Sequence, residues 1–441
     1  MTDGEISAAE AVWAPGAAVQ PISRRHVTAA VVGNWLEFYD FTVYAYFALQ
    51  IGQAFFPNHS EFARLMLSLI TFGAGFVCRP VGAVVIGRLA DRTGRRPAMM
   101  ISFTLMGAAL LGLVFVPTYA QIGLAAPILV VALRVVQGFA LGGEVGPTTA
   151  YLIEAAPVGR RGLYGAWQSA SQSLASLSGG LIGVILAQLV GAAALAAWGW
   201  RIAFLIGALV LPFGLLIRRT LPETRHAPEL RLDAHPESAD ILSHWRVILL
   251  GLGLIAGATI STYVSIFTTT YAQTTLHMGL RVAFWVTVVN GATGFAAALA
   301  GGALSDRFGR RALMIWPRLA FIVAILPAFM TVIHFRQPAV LLTLMGALTA
   351  LANLAAVPAL VALTESLRKE VRGVVTATVY ALAVAVFGGT TQPIVAWLGE
   401  ATGSPLAIAW YLMAANVVAL IAALLMIESA PPRAEAAAGP L

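Results

Sequence analysis

Cysteine is nearly absent from this sequence. The one thiol, Cys78, excludes an intrachain disulfide and a cysteine-based metal cluster. Charge is scarce as well: Asp, Glu, Lys and Arg make up 11% of 441 residues against 59% hydrophobic ones, and the mean hydropathy is +0.83. That balance excludes a chain of ordinary soluble domains. The histidines lack metal-ligand spacing, and there is no His/Glu metal motif, no Gly-x-Ser-x-Gly and no soluble domain. An enzyme is therefore not expected, nor a metal or cofactor. The tail after Ile427 shows no heptads, which excludes a coiled coil there. Residues 1–23 are polar, Ala/Pro-rich and acidic, which reads as a disordered tail and not as a cleavable signal.

What is present is a series of apolar runs, each long enough to cross a bilayer: residues 27–55, 65–89, 98–116, 122–155, 163–190 and 201–217, then 247–273, 282–304, 312–333, 339–366, 374–398 and 406–427. The longest polar interval, 218–243, splits them six and six. The predicted fold class is an all-α polytopic membrane protein of about twelve transmembrane helices in two pseudo-symmetric six-helix bundles. Its expected divisions are a cytoplasmic tail to residue 23, a bundle over 24–220, a central loop over 221–244, a second bundle over 245–428 and a tail over 429–441. The net charge of +7 comes mostly from arginines clustered in alternate loops, such as Arg92/Arg95/Arg96, Arg160/Arg161 and Arg307/Arg310/Arg311. This pattern predicts positive-inside loops with both termini cytoplasmic, in a bacterial-type inner membrane, and argues against nucleic acid as a partner. The bilayer is the expected partner, and a monomer is expected.

The first run contains Asn34, Glu37 and Asp40, three polar groups at a spacing that puts them on one helix face. Each carboxylate at such depth costs about 2.5 to 3.5 kcal/mol on insertion scales, so the stripe is expected to face a protein interior or a wet cavity. On the fourth run, Arg134 and Gln137 share a face, and Glu144 follows about 15 Å further along at 1.5 Å per residue. Arg134 needs a carboxylate or a cavity, and Asp40 or Glu37 is its natural partner. Arg79, between Gly75 and Gly82, has a cavity role or a snorkelling one, and the glycines serve close helix packing. Gln168 and Gln172 recur one turn apart; such amides either bond a substrate carboxylate or bridge helices. In the second half Tyr263, Asn290, Asn353 and Gln392 offer neutral hydrogen bonds. Contacts to a bound solute are therefore expected among Asn34, Arg79, Arg134, Gln137, Gln168, Gln172, Tyr263, Asn290, Asn353 and Gln392, with Glu37, Asp40 and Glu144 as the acids beside them.

The two halves echo each other. Gly87-Arg-Leu-Ala-Asp91-Arg92-Thr-Gly94-Arg95-Arg96 recurs as Gly302-Ala-Leu-Ser-Asp306-Arg307-Phe-Gly309-Arg310-Arg311, and Glu154 with Arg161-Gly162 recurs as Glu365 with Arg372-Gly373. The glycines permit a tight turn, and Asp91 and Asp306 can cap a helix or pair with arginines. These residues (Asp91, Arg95, Glu154, Arg161, Asp306, Arg310, Glu365 and Arg372) are expected to latch one conformational state. Parallel six-helix repeats suit a rocking secondary transporter with its site at their interface.

The doubled Asp-Arg-x-Gly-Arg-Arg loop resembles the signature of the major facilitator superfamily. Gly33-Asn-x-x-Glu37-x-x-Asp40-Phe, Arg79-Pro80, Gln137-Gly-Phe with Glu144, Trp198-Gly-Trp-Arg201 and Leu221-Pro-Glu223-Thr are similar to its metabolite:proton symporter branch. Phe72-Gly-Ala-Gly-Phe76, Trp167-Gln-Ser-Ala-Ser-Gln172 and Ala362-Leu-Thr-Glu365 resemble the citrate and tricarballylate symporters within it. The resemblance implies proton-coupled uptake of a di- or tricarboxylate such as citrate by alternating access, with Asp40 and Arg134 as the coupling pair and Glu37, Asp40 and Glu144 as the proton-coupling acids. The alternatives are a symporter of 2-oxoglutarate, shikimate or betaine/proline, or a drug/proton antiporter. The latter is expected to carry a Gly-Pro-x-x-Gly-Gly-like motif on the fifth span, where Ser178-Gly179-Gly180 has no proline.

Overall fold

The computed structural model describes residues 24–57, 60–93, 95–142, 152, 156–157, 159–219, 244–367 and 369–429. Grouped by continuity, the helices among the described residues make twelve rods. In the first half, α1 is Arg24–Tyr46 with Ala48–Phe55, α2 is Glu61–Val77 with Arg79–Thr93, α3 is Arg95–Phe115, α4 is Ala125–Leu141, α5 is Arg161–Leu189 and α6 is Trp200–Arg219. In the second, α7 is Trp245–Thr274, α8 Leu280–Phe308, α9 Arg310–Phe335 and α10 Pro338–Glu365. There α11 runs as Lys369–Ala383, a π turn at Val384–Gly388 and Gly389–Thr402, and α12 is Ala407–Leu425. Among the described residues eight candidate spans are long and apolar enough to cross a membrane, and Met100–Phe115, Ala125–Leu141 and Leu195–Leu209 are shorter apolar helices. Side chains on the outer surface agree with that reading: Val77, Phe115, Leu189, Trp316, Leu425 and Ile427 are well exposed although wholly apolar, an arrangement that lipid tolerates and water penalises.

Two interruptions have local causes. Pro80 lacks an N–H and disfavours helical backbone before it, and α2 accordingly breaks at Cys78. Gly309 turns the chain from α8 into α9 at φ +93°, a conformation open to glycine and strained for other residues. The fourth span is expected to run on to residue 155, but α4 ends at Leu141 and residues 143–151 lie outside those described.

Between apolar helices in lipid there is little hydrophobic drive, so close approach depends on small residues. The α2–α4 crossing uses them along its whole length. A Cβ added to Gly138 would strike the carbonyl of Gly75, one on Gly82 that of Phe139, and one on Gly142 that of Arg79. The seam sets the backbone of Arg79 against Gly142 and that of Arg134 against Gly75. Replacing Gly138 by Ala forces a methyl group against a main-chain oxygen, and overpacking of this kind costs about 1 to 3 kcal/mol. A thermal melt in detergent should show a lower Tm for Gly138→Ala; an unchanged Tm would mean that the helices are not in backbone contact there.

Candidate functional site

The acidic stripe of α1 is buried: Asn34, Glu37 and Asp40 are 4%, 3% and 3% exposed. Asn34 donates to Ser171 Oγ at 2.6 Å and to the Gln168 carbonyl at 3.2 Å, so its amide ties α1 to α5. Asp40 Oδ2 accepts from Gln137 Nε2 at 2.9 Å, and Gln137 Oε1 accepts from an Arg134 guanidinium N–H at 2.6 Å. The direct Asp40–Arg134 contact expected from the sequence is thus replaced by a relay through Gln137. The reason is spacing: Gln137 lies one turn beyond Arg134 on α4 and reaches the carboxylate first. Glu37 lies within electrostatic reach of Arg79.

Both guanidinium groups sit among aromatic rings. Arg134 lies 4.4 Å from the ring centre of Tyr44 and 5.0 Å from that of Phe41. Arg79 lies 4.2 Å from Phe76 and 4.5 Å from Phe41. Ring faces attract cations by up to about 2 kcal/mol when both are desolvated, which offsets part of the cost of placing two cations here. Hydrogen bonding is left incomplete: Arg134 Nε and its second terminal nitrogen, Arg79 Nε and Asp40 Oδ1 have no partner in the protein. Unfilled donors on a buried cation suit an anion.

A cavity of about 120 Å³ lies between the two halves. Gln168, Gln172, Tyr263, Asn290 and Asn353 line it, together with Ser265, Thr349 and Tyr380, and no charged side chain does so among the described residues. Tyr263 belongs both to this wall and to the aromatic group, with its ring centre 5.4 Å from Phe76 and 6.1 Å from Phe72. Arg79, Arg134 and Gln137 therefore stand behind an aromatic partition rather than in the cavity wall. Gln392 is buried on α11 with both amide atoms unpartnered, also outside the wall. Glu144 lies outside the described residues. Phe41, Tyr44, Phe72 and Phe76 went unmarked as site residues, although Phe72 and Phe76 sit at i, i+4 spacing beside an arginine. Arg318, a buried guanidinium on α9 donating to the Ala419 carbonyl at 3.1 Å, also went unmarked.

The repeated loop of the second half ties the two halves together at the start of α5. Asp306 accepts from the backbone N–H of Gly162 at 2.7 Å and of Leu163 at 2.9 Å, in the first turn of α5, where the helix dipole favours an anion. Arg310 donates to Asp306 at 2.6 Å and, as a fork, to both Glu365 oxygens at 3.1 and 3.2 Å. Glu365 is thus bonded by Arg310, which is presented to it by the start of α9. Arg161 opens α5, but it is the backbone just beyond it that meets Asp306. Glu154 and the side chains of Asp91, Arg95 and Arg372 lie outside the described residues. At the far side the Phe47 and Phe284 ring centres are 5.0 Å apart, and Gln50 donates to Gln273 at 3.4 Å.

Comparison with known proteins agrees with this architecture. The family model of the Major Facilitator Superfamily matches residues 30–380. The chain belongs to that family. It is similar to the citrate-proton symporter of Salmonella typhi, at 38% identity over 400 residues, 88% of this chain and 91% of that protein. It is also similar to the citrate-proton symporter of Klebsiella pneumoniae, at 36% identity and 88% coverage of each. Among solved structures, the xylose transporter XylE from E. coli in a partially occluded inward open conformation superposes with a TM-score of 0.71 at 20% identity, covering 92% of this chain and 98% of that one. That likeness concerns the fold. This member of the superfamily is a multi-pass membrane transporter and not an enzyme.

Proposed function

We propose that the protein takes up a di- or tricarboxylate of the citrate type together with protons, by alternating access. The observation that carries the reading is the buried group of Arg79, Arg134, Asp40 and Glu37, whose formal charges cancel while several guanidinium N–H groups remain free. An arriving carboxylate takes those donors and adds negative charge to a dry site. The excess is removed when Asp40 takes a proton and releases Gln137. Anion and proton therefore favour each other's binding, which is symport written as reciprocal linkage. The similarity to two citrate-proton symporters supports the same substrate class.

Tyr263 stands between the cavity and the guanidinium groups, so the substrate first meets Gln168, Gln172 and Tyr380 and reaches the arginines as the partition moves. The Asp306 latch and the Phe47–Phe284 contact are the two closures that alternate. Asp91, Arg95, Glu154, Arg161 and Arg372 are assigned to the latch by their place in the repeat, and Glu144 to proton coupling by its place after Arg134 and Gln137 on the fourth run. Both termini are assigned to the cytoplasm by the arginine pattern, and the working unit is a monomer.

A thermal-shift screen of the purified protein against citrate, tricarballylate, succinate, 2-oxoglutarate, shikimate and betaine tests the substrate class, since a ligand of the native state raises apparent stability. Citrate should give the largest shift, and Arg134→Lys should remove it because a point charge cannot replace the fork. A shift with betaine alone would refute the reading.

A further inference from the structure

The wall contributed by α7, α8 and α10 presents a buried hydrogen-bond acceptor without a donor. Asn290 Nδ2 lies 3.1 Å from Ser265 Oγ, 3.2 Å from Thr268 Oγ1 and 3.4 Å from the Ser265 carbonyl. A carbonyl only accepts, so it fixes which end of the amide points at α7. The neighbouring hydroxyls are also committed. Thr268 donates to the Ser265 carbonyl at 2.5 Å, and Ser265 Oγ is 3.1 Å from Thr349 Oγ1, with its own lone pair facing the amide. None of these hydroxyls reaches the other end of the amide. Asn290 Oδ1 is accordingly buried with no hydrogen-bond partner, on a residue that lines the cavity. Asn353, one helix away on the same wall, likewise spends its Nδ2 on the Thr349 carbonyl at 2.9 Å.

A buried amide oxygen left without a donor is costly, and one held in place by three groups does not relax by rotating. It calls for a ligand O–H. An ionised carboxylate has none and is repelled by a carbonyl oxygen, so this wall rejects the very groups that the guanidinium side attracts. Resting on the carboxylate reading above, we infer that Asn290 is a specificity-determining residue that accepts a hydrogen bond from an alcohol hydroxyl of the substrate, and that the substrate class is a hydroxylated polycarboxylate. The ligand is then oriented with its hydroxyl toward α8 and its carboxylates toward α1, α2, α4 and α5.

Citrate and tricarballylate differ by one hydroxyl and nothing else, which makes them the pair for the test. Affinities for both are measured by calorimetry on the full-length protein at one pH. Wild type should bind citrate on the order of tenfold to a hundredfold more tightly, the range set by leaving one buried acceptor unfilled. Asn290→Ala should bring citrate down to the level of tricarballylate and leave tricarballylate unchanged, which also shows that the variant folds. Thr268→Val, which keeps Oδ1 but loosens its clamp, should weaken citrate alone and to a smaller degree; with the wild-type ratio it decides the matter if Asn290→Ala does not fold. Equal wild-type affinities, or parallel losses for both ligands in the variants, would overturn the hydroxyl assignment while leaving carboxylate transport standing. Binding of neither ligand would overturn both.

Discussion

Asp40→Asn is expected to abolish proton-driven accumulation of substrate while leaving its exchange across the membrane intact. The substitution is nearly isosteric, and an asparagine oxygen can still accept from Gln137, which holds Asp40 at 2.9 Å. The relay to Arg134 therefore keeps its shape. What disappears is the group that alternates between charged and neutral. Each proton carried down one pH unit is worth about 1.36 kcal/mol, or about tenfold in accumulation. In proteoliposomes with an imposed gradient of about two units, wild type should thus reach roughly a hundredfold accumulation per coupled proton, and the variant only equal concentrations on both sides. Counterflow of labelled citrate, which needs no net proton movement, should persist in the variant. Accumulation that survived in Asp40→Asn would remove the coupling role from this carboxylate. Glu37→Gln is the informative neighbour: the charge of Glu37 is felt by Arg79, so its loss should alter substrate affinity more than coupling.

How much of this was legible beforehand depends on the range of each interaction. The α1 stripe could be read because three residues at helical spacing share a face whatever surrounds them, and Asn34, Glu37 and Asp40 are indeed buried together. The glycines around Arg79 were readable as packing positions for a similar local reason. By contrast, the cation cage draws Phe41 and Tyr44 from α1, Phe72 and Phe76 from α2 and Tyr263 from α7. No periodicity within one segment announces such a set. The relay through Gln137 was missed because opposite charges were matched directly, while a neutral amide able both to donate and to accept fitted the gap. The separation of the cavity from the arginines follows from the packing of those same rings. The orphaned oxygen of Asn290 was likewise invisible, since it depends on how residues 265, 268 and 349, from two other helices, are arranged around the amide.

Arg310→Met is expected to have the largest effect on stability. The guanidinium is 2% exposed and is shared by Asp306 and Glu365, whose side chains are 10% and 3% exposed. Methionine fills much of the same volume without charge, so the loss is electrostatic and not steric. Asp306 keeps the two backbone N–H groups of α5. Among the described residues, Glu365 then retains only the hydrogen bond from Ser429 Oγ, at 3.1 Å. Removing one partner of a buried pair costs about 3 to 5 kcal/mol because the other charge is stranded. Unfolding of Arg310→Met in detergent should show a loss of that order, and Arg310→Met/Glu365→Leu should recover most of it, because two apolar side chains leave no orphaned charge. The double variant separates stability from gating: with the Asp306 clamp on α5 still in place but its arginine gone, the closed side should open more readily. Cysteines introduced at Tyr164 and Phe308, one on each side of the clamp, should then crosslink more slowly than in an otherwise matched Arg310 background. If the double variant stays as unstable as the single one, the fork is not where the energy lies, and the latch must be held by the α5 backbone contacts alone.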